Sequence, residues 1–126
     1  MVKIAVDLMG GDNAPEAIVD GVMKAVEADS SIEIMAYGLK GSYTGAHPGI
    51  EFIEVTEKVE SEDDPVRAVR RKKDSSLVRA AKAVKDGEAV ACVSAGNTGA
   101  IMSAGLFVVG RIKGIERPAI ASIIPN

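Results

Sequence analysis

Between Lys3 and Tyr37, two short apolar runs flank one helical stripe, and that pattern admits essentially one connection. Lys3 to Leu8 is apolar and β-rich and stops at Gly10-Gly11, which predicts a buried strand. Asn13-Ala14-Pro15 opens a helix, with proline in the first turn, where its missing N–H costs nothing. Ile18, Val19, Val22, Met23 and Val26 fall on one stripe, while Glu16, Asp20, Lys24 and Glu27 take the other face. Asp29-Ser30-Ser31 breaks the helix, and Ile32 to Tyr37 reads as a second strand. Strands joined through a helix lie parallel, with a right-handed crossover.

The rest of the chain repeats this alternation. Leu39 to Gly49 is a glycine-rich loop with little room for a helix, and Ile50 to Val55 is a third strand. Residues 54–64 then carry six acids and a single lysine, whereas residues 67–73 carry five bases and no acid. Asp64-Pro65 starts a helix at this switch, where acids before the N-terminus suit the helix dipole. Asp74-Ser75-Ser76 starts another, with Leu77, Val78, Ala81 and Val84 inward, Arg79, Lys82 and Lys85 outward, and Gly87 at its end. Ala89 to Ser94 is apolar throughout and predicts a central fourth strand. Ala100 to Val109 carries no charge and predicts a buried core helix, which exposes an apolar patch if nothing covers it. Pro118 to Ile124 reads as a fifth strand. The fold class is therefore α/β: a three-layer, mainly parallel sheet with flanking helices.

Composition narrows function by exclusion. Fifteen Lys plus Arg against 18 Asp plus Glu leave a net charge of −3, which argues against a nucleic-acid partner. One cysteine and one histidine exclude an internal disulfide, a cysteine cluster and a multi-histidine metal centre. Cys92, mid-strand, reads as a small core residue rather than a nucleophile, and His47 sits in the glycine loop with no recognisable partner. No run reaches the roughly 18 apolar residues of a membrane span, so the expected setting is cytoplasmic.

Open parallel sheets take ligands at the carboxyl ends of their strands, and two glycine-rich turns fall there. In the first, residues 9–15, Gly10 and Gly11 permit close backbone approach, but Asp7 and Asp12 repel phosphate unless a cation meets them. It lacks both the dinucleotide fingerprint and the Lys-Ser/Thr of a P-loop, which disfavours a dehydrogenase, and it reads equally as a plain strand-to-helix turn. In the second, residues 94–100, small residues bare the backbone, Ser94, Asn97 and Thr98 offer donors, and no acid intervenes. That composition fits an anion cradle and, as well, an ordinary helix cap by Asn97 or Thr98. Arg70-Arg71-Lys72-Lys73 reads as a solvated basic face or a dock for an acidic partner.

Three blocks carry a resemblance: Ile4 to Asp12 with Ala14-Pro15; Pro65 to Ser76; and Ser94 to Ala100 with Ala104 to Phe107, running on through Gly110 to Ala119. In this order they resemble the bacterial phosphate acyltransferases of phospholipid synthesis. Asn13 departs from that pattern, standing where the family usually has histidine, and the 38–49 loop is shorter. The resemblance implies transfer of a fatty acyl group from acyl-acyl carrier protein to inorganic phosphate, without an organic cofactor. It implies a homodimer, a fold like isocitrate and isopropylmalate dehydrogenases, and a product passed to a membrane glycerol-3-phosphate acyltransferase. The implied location is cytoplasmic with peripheral membrane association. On this reading residues 1–126 are the amino-terminal portion of one α/β acyltransferase domain, truncated at the carboxyl end. The alternative is a non-catalytic anion-binding α/β module. Carried onto this chain, Asn97, Thr98 and Asp12 are the expected catalytic groups. Gly10, Gly11, Ser94, Gly96 and Gly99 are expected to bind phosphate or substrate, and Arg70, Arg71, Lys72 and Lys73 to dock the carrier protein.

Overall fold

Period-two alternation along the first two strands builds the molecule's two faces. A computed structural model describes residues 2–110. Strand β1 (Val2–Asp7) leads into helix α1 (Glu16–Ala28), then strand β2 (Ile32–Leu39) and strand β3 (Ile50–Val55). Val6 on β1 and Ile34 and Ala36 on β2 pack under Val22 and Val26 of α1. Their neighbours Ala5, Met35 and Tyr37 point the other way, onto Ala80 and Ala83 of helix α3 (Ser76–Lys85). Helices thus cover both faces of a parallel sheet, giving the three layers that the sequence implies.

A third apolar cluster extends one layer sideways. Helix α2 (Pro65–Arg71) contributes Val69, α3 contributes Leu77, Val78 and Ala81, and helix α4 (Thr98–Ala104) contributes Ala100 and Ala104. The caps follow the sequence signals. The Asp64 carboxylate accepts from Arg67 N, with Pro65 in the first turn, and Ser75 Oγ accepts from Val78 N. His47 serves its own loop: its Nδ1 accepts from Gly49 N at 2.9 Å.

The sheet order is β3-β2-β1-β4, all parallel, with β4 spanning Ala91–Val93. Consecutive strands step one way from β1 to β3, and the chain then returns to the opposite side of β1. The gap between the ends of β1 and β4 is consequently the switch point of the topology.

Two expectations are corrected. The fourth strand is shorter than six residues: β4 has three, and among the described residues it lies at one edge of the sheet rather than in its centre. Only Ile4, Ala5 and Val6 of β1 pair with it, and Val90, just before it, is 70% exposed. Apolar character alone does not distinguish an inner strand from an edge. The uncharged stretch from Ala100 is likewise not a uniformly buried helix. It is α4 followed by a π-helical turn, Gly105–Val109, and only one side packs, leaving Met102 and Phe107 each about half exposed. The predicted fifth strand, Pro118 to Ile124, lies outside the described residues. Among those residues no helix is long and apolar enough to cross a membrane.

Candidate functional site

The two glycine turns meet at the switch point, and Asp7 ties them together. Its side chain follows the same alternation as Ala5, so it points to the α3 face and is 4% exposed. Ser76 Oγ, at the start of α3, donates to Oδ1 at 2.5 Å, and Met9 N donates to the same oxygen at 2.9 Å. Ser94 Oγ, just after β4, donates to Oδ2 at 2.8 Å. One carboxylate therefore joins the end of β1, the start of α3 and the end of β4. Its side chain faces inward and is committed to these three donors, so Asp7 does not line the cleft itself.

Above this junction the backbones are in contact. A Cβ at Gly10 would lie 2.6 Å from Ser94 Oγ and 2.8 Å from Gly96 N, so no larger residue fits without displacing backbone. Gly11 adopts φ 104°, a conformation that side chains disfavour. Gly96 N donates back to Ser94 Oγ at 3.2 Å.

An open cleft of about 560 Å³ lies over the junction. One wall is the first turn, through Met9, Gly11 and Asp12. A second is the later turn, through Ala95, Gly96, Asn97 and Thr98. The third wall, Lys58, Val59, Glu60 and Ser61, comes from the acidic stretch after β3. The sequence pattern marks that stretch only as acids ahead of a helix N-terminus, so this wall is missed. The available signal is the lone lysine among six acids.

The expected site residues therefore divide. Gly11, Asp12, Gly96, Asn97 and Thr98 line the cleft. Gly10 and Ser94 form the packed junction beneath it. Gly99 turns away: a Cβ there would meet Pro65 Cγ at 2.7 Å, so its smallness lets α4 pack on α2. The Asn97 side chain is engaged at both ends. Its Oδ1 accepts from Ala100 N at 3.1 Å, capping α4, and its Nδ2 donates to Ser61 O at 3.4 Å and Asp63 O at 3.3 Å. What the later turn presents to the cleft is chiefly backbone and small side chains, at Ala95, Gly96, Asn97 and Thr98.

The basic run is not one uniform patch. Arg71 and Lys73 are exposed, and the Arg70 guanidinium sits 5.2 Å from the Phe107 ring centroid, a cation–π distance. Lys72 turns inward, donating to Asp63 Oδ2 at 2.6 Å and to Lys58 O at 3.0 Å. The Lys72 ammonium, followed by the Glu60 N–H, holds the Asp63 carboxyl below its ordinary pKa.

Cys92 packs beside the Ala5–Met35 core, and its thiol is pushed up to about 12, first by burial and then by the charge of Asp7. It stays protonated at neutral pH and is no nucleophile. Among the described residues, no three of His, Cys, Asp and Glu gather where a metal ion could sit.

Sequence comparison agrees with the three blocks. A family described as "Fatty acid synthesis protein" matches residues 2–126. The phosphate acyltransferase of Staphylococcus epidermidis is 61% identical over all 126 residues, which cover 39% of its length. That of Staphylococcus aureus is 58% identical over the same span, 38% of its length. The chain thus spans about two-fifths of the length of these relatives. By these matches the chain belongs to the fatty acid synthesis protein family.

Proposed function

We propose that this chain supplies the phosphate-holding part of a phosphate acyltransferase, which transfers a fatty acyl group from acyl carrier protein to inorganic phosphate. The observation that carries the reading is the cleft at the switch point, walled by backbone-rich glycine turns, in a chain whose relatives bear that name.

The chemistry asks little of side-chain nucleophiles. A phosphate oxygen attacks the thioester carbonyl carbon, a C–O bond forms, and the C–S bond breaks. Hydrogen phosphate brings one proton, which ends on the carrier thiol, so acyl phosphate and free carrier protein are the balanced products. The protein's task is to hold and orient the phosphate and to stabilise the oxyanion that develops on the carbonyl. Gly11 and Thr98 offer backbone for the first task, and Asn97 shapes the turn that presents it. The neutral Cys92 thiol takes no covalent part.

Within this reading Arg70, Arg71 and Lys73 form the dock for the acidic carrier protein. Lys72 borders it, but its ammonium is committed to the wall of the cleft. The sheet is the first part of a fold like isocitrate and isopropylmalate dehydrogenases, the enzyme is a homodimer, and it works in the cytoplasm with peripheral membrane contact. Its product goes to a membrane glycerol-3-phosphate acyltransferase.

The test is thiol release from acyl carrier protein by the full-length protein, with and without inorganic phosphate. Release that rises and saturates with phosphate, with acyl phosphate formed in equal amount, is the expected result. Release indifferent to phosphate contradicts it, and phosphate binding without release favours the non-catalytic module instead. An Asn97→Ala protein with unchanged phosphate dependence would remove the later turn from the phosphate site.

A further inference from the structure

Within the phosphate-binding reading just given, we infer that Lys58 is the phosphate-facing cation of the cleft and that Lys72 is its positioning residue, not a docking base. Among the described residues, the charged ones lining the cleft are Asp12, Glu60 and Lys58. Two of them repel a phosphate, so Lys58 alone among them favours an anion. An ammonium that meets phosphate acts as a point charge, and its worth depends on where its backbone is held.

The wall bearing Lys58 is an irregular segment, and it is held from outside. Lys72 Nζ donates to the carbonyl of Lys58 itself at 3.0 Å and to Asp63 Oδ2 at 2.6 Å, bracketing the wall at both ends. Asp63 Oδ2 in turn accepts from Glu60 N at 2.9 Å. Asn97 Nδ2 reaches across from the facing turn to the carbonyls of Ser61 and Asp63. These bonds close the third wall onto the later glycine turn. Lys72 lies nine residues from Asp63 and 14 from Lys58, so the clasp comes from the way α2 folds back over the segment that precedes it.

Glu60 gives the inference a sign that can be read. Its Oε1 lies 3.8 Å from Lys58 Nζ, and both side chains are about two-fifths exposed. In this exposed pair Glu60 competes with phosphate for the same ammonium. Removing Glu60 tightens phosphate binding; removing Lys58 weakens it.

The experiment is equilibrium binding of inorganic phosphate to the full-length protein by calorimetry, paired with steady-state kinetics that vary phosphate and acyl carrier protein separately. Loss of one charge-assisted contact in Lys58→Gln is expected to weaken phosphate binding about tenfold. Lys72→Met is expected to weaken it several-fold, with the KM for acyl carrier protein unchanged and Lys72→Arg restoring part of the loss. The Lys58→Gln/Lys72→Met double variant should lose little more than Lys58→Gln alone, because Lys72 acts through Lys58. Glu60→Gln should bind phosphate more tightly than the parent. The inference is overturned if phosphate binding survives Lys58→Gln, if the two losses multiply, or if Lys72→Met raises only the KM for acyl carrier protein. Calorimetry reads the site without turnover: phosphate that binds through Lys58 in a protein releasing no thiol overturns the acyl-transfer reading alone.

Discussion

The two glycine-rich turns look alike in sequence and do different work. The first, after β1, meets the cleft with Gly11 and Asp12 and is fixed from below by the buried carboxylate of Asp7. The second, after β4, carries the polar residues that suggest ligand contact, yet Ser94 and both ends of Asn97 are engaged within the protein. In each turn the side chains that seem chemically suggestive mostly build the turn, and beside backbone and small residues the cleft is left with Met9, Thr98 and the Asp12 carboxylate. Polar residues in a tight turn are first the means of satisfying buried backbone and carboxylate groups.

This contrast can be broken at the junction. Asp7→Ala leaves the hydroxyls of Ser76 and Ser94 and the N–H of Met9 without their charged acceptor. The full-length protein is expected to lose about 3 kcal/mol or more of stability in urea unfolding, since each hydrogen bond to a charged group contributes about 1.5–3 kcal/mol. An unaffected midpoint would mean that Asp7 does not couple the turns. Gly10→Ala is expected to cost about 2 kcal/mol, because the new methyl must push the later turn's backbone away. Gly21→Ala, on the exposed side of α1 with nothing within 4 Å, is its control and should stabilise the protein by about 0.5–1 kcal/mol. Equal effects at the two glycines would refute the close approach of the turns.

Asn97→Ala probes the second turn in the same way. It removes a helix cap, a loss of about 1 kcal/mol, and also the bridge to Ser61 and Asp63. A fall in phosphate affinity larger than the fall in stability separates its positioning of the wall from simple capping. The smallest effect concerns Cys92. Its raised pKa keeps the thiol neutral, so labelling by thiol reagents at pH 8 should be slow in the folded protein and fast in urea. The stability that this protonated thiol contributes is complete below the ordinary value of 9.0 and is lost as pH climbs toward about 12. Rapid labelling of the native protein would show the thiol to be accessible and ionised.

Much of the scaffold is legible in the residues. The α1 stripe, the alternation along β1 and β2, and the caps at Asp64 and Ser75 are local signals, and local patterns map directly onto helices and strands. The edge position of β4 among the described residues is not legible, because three apolar residues look the same at an edge and in a centre. Asp7 is misread for another reason. Its serine donors arrive from positions 69 and 87 residues further along, and no local pattern announces them. The Lys58–Ser61 wall escapes for the same cause: Asn97 reaches it across 34 to 36 residues. The site is assembled from contacts between segments, whereas sequence periodicity reports on single segments.

On the function proposed above, a tetrahedral oxyanion binds where β1 and β4 end, between the glycine turns and the Lys58 wall. Crystals of the full-length protein soaked in arsenate test it most directly, since anomalous scattering from arsenic locates the anion. One dominant peak is expected within hydrogen-bond reach of the backbone at Gly11 and Asn97–Thr98, with Lys58 turned toward it. A peak at Arg70–Lys73 with an empty cleft would contradict it.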